Sequence, residues 1–162
     1  MRAAAIPKRA EPIRRHRQRG NAAIEFALLF PLFFLIFYAI VTFSVIFVAQ
    51  QCLTLAAEDG ARAALVYQQA DTPADALASR AEAACETASQ LVQDASAFVG
   101  NANCAQTSGQ CAYDSTMDCV NVTLTYGYAA NPILPAIPLM NLALPANLTG
   151  SATVQIDPEN IL

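Results

Sequence analysis

Beyond residue 20 the chain has no histidine and no lysine, since His16 and Lys8, the single residue of each type, both come earlier. Without an imidazole the Ser-His and Cys-His pairs that activate a nucleophile cannot be built, and acid-base chemistry would fall to carboxylates alone. There is no glycine-rich phosphate loop, and no His or Cys spacing fits a metal site. These gaps argue against an enzyme and against any metal or other cofactor. Positive charge is nearly missing from the same region: residues 21–162 set Arg62 and Arg80 against twelve carboxylates. An acidic surface of that kind argues against nucleic acid as a partner.

The cations that exist are gathered at one end. Residues 1–20 hold seven of the nine Lys and Arg residues, opposed only by Glu11. From Phe26 to Ala49 there follow 24 residues without a charge, which as a helix would reach about 36 Å, enough to cross a bilayer core with some tilt. Basic residues beside one end of a span hold that end in the cytoplasm and send the rest of the chain across. This position accounts for the leader's charge better than a nucleic-acid arm or a lipid-binding patch does. A secretory signal fits poorly, because the apolar run is too long and no A-x-A site follows it. Gln51 before Cys52 rules out a lipoprotein attachment site, and Arg14-Arg15 lacks the surroundings of a twin-arginine signal.

Glu25 stands just inside the span, where a carboxylate costs up to a few kcal/mol according to depth. It follows Gly20 by five residues, in the stretch Arg19-Gly20-Asn21-Ala22-Ala23-Ile24-Glu25-Phe26-Ala27-Leu28-Leu29-Phe30-Pro31. This stretch resembles the start of a type IV-type prepilin. Together with Glu58-Asp59-Gly60-Ala61-Arg62-Ala63-Ala64 it resembles, more narrowly, the TadE-like pseudopilins of tight-adherence (Flp) pilus systems, over residues 19–66. The resemblance implies a precursor cut after Gly20 by a prepilin peptidase, with Asn21 as the new N-terminus and Glu25 serving recognition or subunit pairing. It implies as partners the bacterial inner membrane, other pilins or pseudopilins and the pilus assembly platform. A free α-amino group on Asn21 and the Glu25 carboxylate would be less costly to bury together than apart. The bland alternative leaves Glu25 at headgroup level. Phe26, Phe30, Phe33 and Phe37 form an aromatic stripe, Ala23 and Ala27 a small-residue notch, and Pro31 removes one helix hydrogen bond.

The remainder reads as a small domain. Polar and apolar residues mix after Ala49, so the first helix should continue from Ala22 to about Gln69, with Gly60 marking a bend or a close contact. Thr72-Pro73-Ala74-Asp75 is a capped helix start, predicting a second helix from Pro73 to about Phe98 that Gly100-Asn101 terminates. Residues 101–118 read as a Cys-rich loop. Val120, Val122, Leu124 and Tyr126 alternate with polar residues as a strand, and a last strand is expected over Leu148–Ile156. Between them the Pro-rich, apolar stretch 131–146 forms a loop that either caps the core or offers a patch to a partner.

The expected fold is α+β: a long N-terminal transmembrane helix continuing into a small extracytoplasmic domain with a second helix and a short antiparallel sheet. Its parts are a leader 1–20, a helix and extension 21–70, and a domain 71–162. Cys85, Cys104, Cys111 and Cys119 would face an oxidising compartment and form two disulfides, for which three pairings are open. The preferred pairing joins Cys104 to Cys111 and Cys85 to Cys119, leaving Cys52 as a buried thiol. Two functions follow: a processed minor pilin or pseudopilin needed for pilus assembly and cell adhesion, or an uncleaved single-span anchor presenting a protein-binding domain.

Overall fold

The computed structural model describes residues 19–95, 99–135 and 143–161, with backbone only for 19–21 and 160. Outside the described residues lie the leader up to residue 18, the expected end of the second helix at 96–98, and the centre of the Pro-rich loop at 136–142. The elements run α1 (Arg19–Ala63), α2 (Pro73–Asp94), β1 (Asn103–Gln110), β2 (Asp118–Tyr126) and β3 (Leu148–Ile156), so the fold is α+β as expected. The chain divides into two compact units, Met1–Ile40 and Val41–Leu162.

Within the first unit α1 passes through Pro31 without a break, and its large apolar side chains are exposed. Within the second unit the same helix becomes one-sided. Thr42, Ile46, Ala49, Leu53, Ala56, Ala57, Ala61 and Ala64 are buried, at the three- and four-residue spacings of one helix face. The helix stops at Ala63, short of the expected Gln69. Leu65 and Val66 donate their N–H groups to the carbonyls of Arg62 and Ala63 at 3.1 Å, the tightened i to i+3 pattern of a helix end. Leu65, Val66 and Tyr67 are exposed, so beyond this point no packing supports another turn.

α2 starts where the cap predicts. Thr72 has an extended backbone, its Oγ1 accepts from the Asp75 N–H at 3.2 Å and donates to Asp75 Oδ2 at 2.7 Å, and Pro73 opens the first turn. The helix ends at Asp94, where Ala95 N–H bonds to Leu91 O at 3.1 Å. Its Ala76, Leu77, Ala81, Ala84, Ala88 and Val92 are buried. Alanine on both helices permits close approach, and Gly60 is the extreme case. A Cβ at Gly60 would meet Ala84 O at 2.6 Å and Ala88 Cβ at 2.8 Å.

The sheet is antiparallel in the order β1-β2-β3. β2 alternates as read: Val120, Val122, Leu124 and Tyr126 are buried with Leu53 and Val92 in the core. The intervening residues carry a polar lattice, in which Asn121 Nδ2 donates to Thr153 Oγ1 at 2.7 Å and Thr123 Oγ1 donates to Asn121 Oδ1 at 3.0 Å. β3 enters the core through Leu148, Gly150 and Ile156. Gly150 is needed because a Cβ there would meet the backbone of Leu53, and the amide nitrogen of Thr54 at 2.6 Å. Beside it Gln50 Nε2 donates to Thr149 O.

Two expectations are overturned in this unit. Residues 103–110, expected as loop, form β1, paired with β2 in continuous register from Asn103 opposite Thr125 to Gln110 opposite Asp118. The strand has no buried apolar face to betray it; backbone pairing and a disulfide hold it instead. The disulfides are Cys85–Cys104 and Cys111–Cys119, with Cα atoms 5.9 Å and 5.0 Å apart, and not the preferred Cys104–Cys111 and Cys85–Cys119. The strand explains the change. Seven residues of extended chain separate Cys104 from Cys111 by about 23 Å, far outside disulfide reach. The hairpin meanwhile brings Cys119 opposite Gly109, beside Cys111. In the turn, Thr116 N–H and Oγ1 donate to Asp114 Oδ1 at 2.9 and 2.6 Å, hydrogen bonds that hold this carboxyl below its ordinary pKa. Cys52 is a half-buried free thiol.

One charge lies deep in the unit. Arg80 is 4% exposed, and its guanidinium donates to the carbonyl of buried Ile161 at 3.0 Å, tying the C-terminal segment to α2.

Candidate functional site

α1 begins at Arg19, so Gly20, Asn21 and Glu25 all lie on helical backbone. Four residues apart, Asn21 and Glu25 occupy one face of successive turns, about 6 Å along the axis. Glu25 is exposed, and Phe26 beside it is 65% exposed. From Phe26 onward rings stack along the helix: Phe26 and Phe30 have centroids 5.3 Å apart, Phe30 and Phe34 6.2 Å, and Phe34 and Tyr38 6.3 Å. Phe33 and Phe37 form a second, shorter pair at 6.5 Å. The stripe read from sequence as Phe26, Phe30, Phe33 and Phe37 is thus two ladders at strict four-residue spacing. The sequence reading misses Phe34 and Tyr38, although Phe34 follows Phe30 by four residues and Tyr38 follows Phe34 by four.

Pro31 lies one residue beyond Phe30 and has no N–H to offer the carbonyl of Ala27, so one i to i−4 hydrogen bond is missing from the otherwise continuous helix. The helix from Ala22 to Ala63 is long and apolar enough to cross a membrane. What this arrangement can do is lateral: an exposed aromatic surface in an apolar helix headed by one carboxylate can bury itself in lipid or against other such helices. The four disulfide cysteines all belong to the second unit, where they brace α2 and the β1-β2 hairpin.

Residues 20–62 match the family described as TadE-like protein. The match covers 43 of the chain's 162 residues. No curated protein and no solved structure matches the chain. The TadE-like segment nearly coincides with α1, beginning one residue after Arg19 and ending one before Ala63, so it contains Gly20, Asn21, Glu25, Phe26, Pro31 and Gly60. α2 and the sheet lie beyond the matched residues.

Proposed function

We propose that the chain is a minor pilin or pseudopilin needed for assembly of a tight-adherence pilus, made as a precursor and cut after Gly20 by a prepilin peptidase. The observation that carries this reading is a coincidence of three things in one helix: the TadE-like match, Gly20 with Glu25 at its head, and an uncharged length sufficient to cross a bilayer. In the mature chain Asn21 carries the free amino group and Glu25 neutralises it, within one subunit or between neighbours. Phe26, Pro31 and the ring ladders supply the surface on which helices pair. The leader stays in the cytoplasm, the helix anchors in the inner membrane, and the domain 71–162 lies in the periplasm, where its two disulfides form and persist. The protein acts by assembly with other pilins and with the assembly platform, not by catalysis.

The test is Glu25→Ala and Glu25→Gln in cells that make the pilus, read as surface pili per cell alongside the amount of protein in the membrane fraction. Normal membrane levels with pili reduced about ten-fold or more are expected, because a buried charge pair is worth a few kcal/mol. Undiminished pili with either variant would favour the uncleaved anchor, for which Glu25 has no assembly role.

A further inference from the structure

β1 is an edge strand without the usual defences of an edge. All eight of its residues pair with β2 in unbroken register, and Asn103–Gln110 contains no charge, no proline and no bulge. Among the described residues its backbone makes no backbone hydrogen bond beyond the sheet except at its flanks, Ala102 and Cys111. Natural sheets protect such edges with lysines, prolines or bulges, because a bare edge accepts another strand. The strand is also rigid, anchored to α2 by Cys85–Cys104 and at its far end by Cys111–Cys119.

Beside this strand a groove of about 600 Å³ lies between α2 and β1, its two walls joined by Cys85–Cys104. Glu82, Glu86, Ser89 and Gln93 line its helix side, and Asn103 and Gln106 its strand side. The helix residues fall at intervals of four, three and four, which is one face of α2, beside the face that enters the core. The groove thus has a backbone template along one wall and carboxylates along the other.

We propose that this groove takes an extended segment of another protein by strand addition to β1, and that the segment carries Lys or Arg at alternate positions facing α2. The spacings agree. Glu82 and Glu86 are about 6 Å apart along the helix axis, and residues i and i+2 of a strand about 6.6 Å. Backbone hydrogen bonds to β1 supply affinity, and the paired charges select the side chains. A second copy of this chain does not fit. Past residue 20 its only cations are Arg62, on α1 and paired with Asp59 at 3.0 Å, and buried Arg80. The alternate arginines Arg15, Arg17 and Arg19 belong to the leader, which the proposed topology puts on the other side of the membrane. The groove itself depends only on the folded unit Val41–Leu162 and not on cleavage after Gly20.

The experiment uses the full chain in detergent micelles and end-capped peptides as long as β1: alternating Thr and Lys, alternating Thr and Glu, and the Thr-Lys peptide interrupted by a central Pro. The readout is amide hydrogen exchange along β1 together with affinity. The Thr-Lys peptide should slow exchange at every second residue of β1 and bind about ten-fold tighter than the Thr-Glu peptide, two exposed charge pairs being turned into repulsions. Glu82→Lys with Glu86→Lys, both at exposed helix positions, should reverse that order while leaving the melting temperature unchanged. No slowing at β1, or equal slowing by the Pro-interrupted peptide, would overturn the proposal. These outcomes are read on the wild-type chain and stand whatever the double variant does. A folded double variant that kept the original preference would equally overturn the charge selection.

Discussion

Gly60→Ala is the sharpest perturbation of the packing between α1 and α2. Helix propensity alone favours the change by about 1 kcal/mol, since Gly60 lies inside α1. The structure opposes it: the new methyl would stand 2.6 Å from Ala84 O and 2.8 Å from Ala88 Cβ. One neighbour is backbone and the other the first atom of a side chain, so neither can swing away. α2 resists retreat as well, because Cys85, next to Ala84, is tied to β1 through Cys104. Overpacking costs about 1–3 kcal/mol, and two fixed atoms within 3.0 Å put this site in the upper part of that range, about 2–3 kcal/mol, so that the net loss is about 1–2 kcal/mol. Thermal unfolding followed by circular dichroism in one detergent should show a melting temperature lower by about 3–10 °C. Adding Ala88→Gly should recover part of the loss beyond additivity, by about 0.5 kcal/mol or more. A Gly60→Ala chain that melts at or above the wild-type temperature would refute the close contact, leaving propensity as the only effect.

Arg80→Ala should destabilise the unit by about 2–4 kcal/mol, since it removes a charged hydrogen bond to Ile161 O, leaves that carbonyl unpaired and opens a cavity. Denaturant unfolding measures the loss, and faster proteolysis at the C-terminal end should accompany it; an unchanged midpoint would contradict the clamp. Peptide mapping without reduction should recover Cys85 linked to Cys104 and Cys111 linked to Cys119. Replacing the first pair by Ser should cost about 3 kcal/mol, more than the second, because it closes the longer loop, 19 residues against 8. A Cys104–Cys111 peptide would refute the strand assignment together with the pairing.

The parts of this fold that write themselves into sequence are those whose burial is periodic or whose ends are chemically marked. Thr72-Pro73 with Asp75 announces α2 to the residue, and the alternation of Val120, Val122, Leu124 and Tyr126 announces β2. β1 is invisible because Asn103–Gln110 buries no apolar side and takes its conformation from its neighbour and from Cys104. The expected disulfide pairing fails for the same reason, since it holds only if residues 104–111 form a loop and not a strand. The helix ends are legible to within a turn or two, because they depend on whether Leu65–Tyr67 find anything to pack against, which is a tertiary matter. The uncharged run shows a subtler gap. Phe26–Ala49 reads as one span, yet from Thr42 its buried stripe already belongs to the compact unit Val41–Leu162. Of the candidate site, the apolar helix was legible in the sequence, and Gly20 and Glu25, read there as processing and assembly residues, lie at the head of that helix within the matched residues 20–62. The groove beside β1 was not, because it requires knowing which strand forms the edge.

The N-terminal residue and intact mass of the protein extracted from membranes, from cells with and without their prepilin peptidase, decide between a processed pilin and an uncleaved anchor. A chain that begins at Asn21 only when the peptidase is present is the predicted result. A chain that keeps residues 1–20 in both would rule out processing after Gly20 and leave a membrane-anchored binding module in its place.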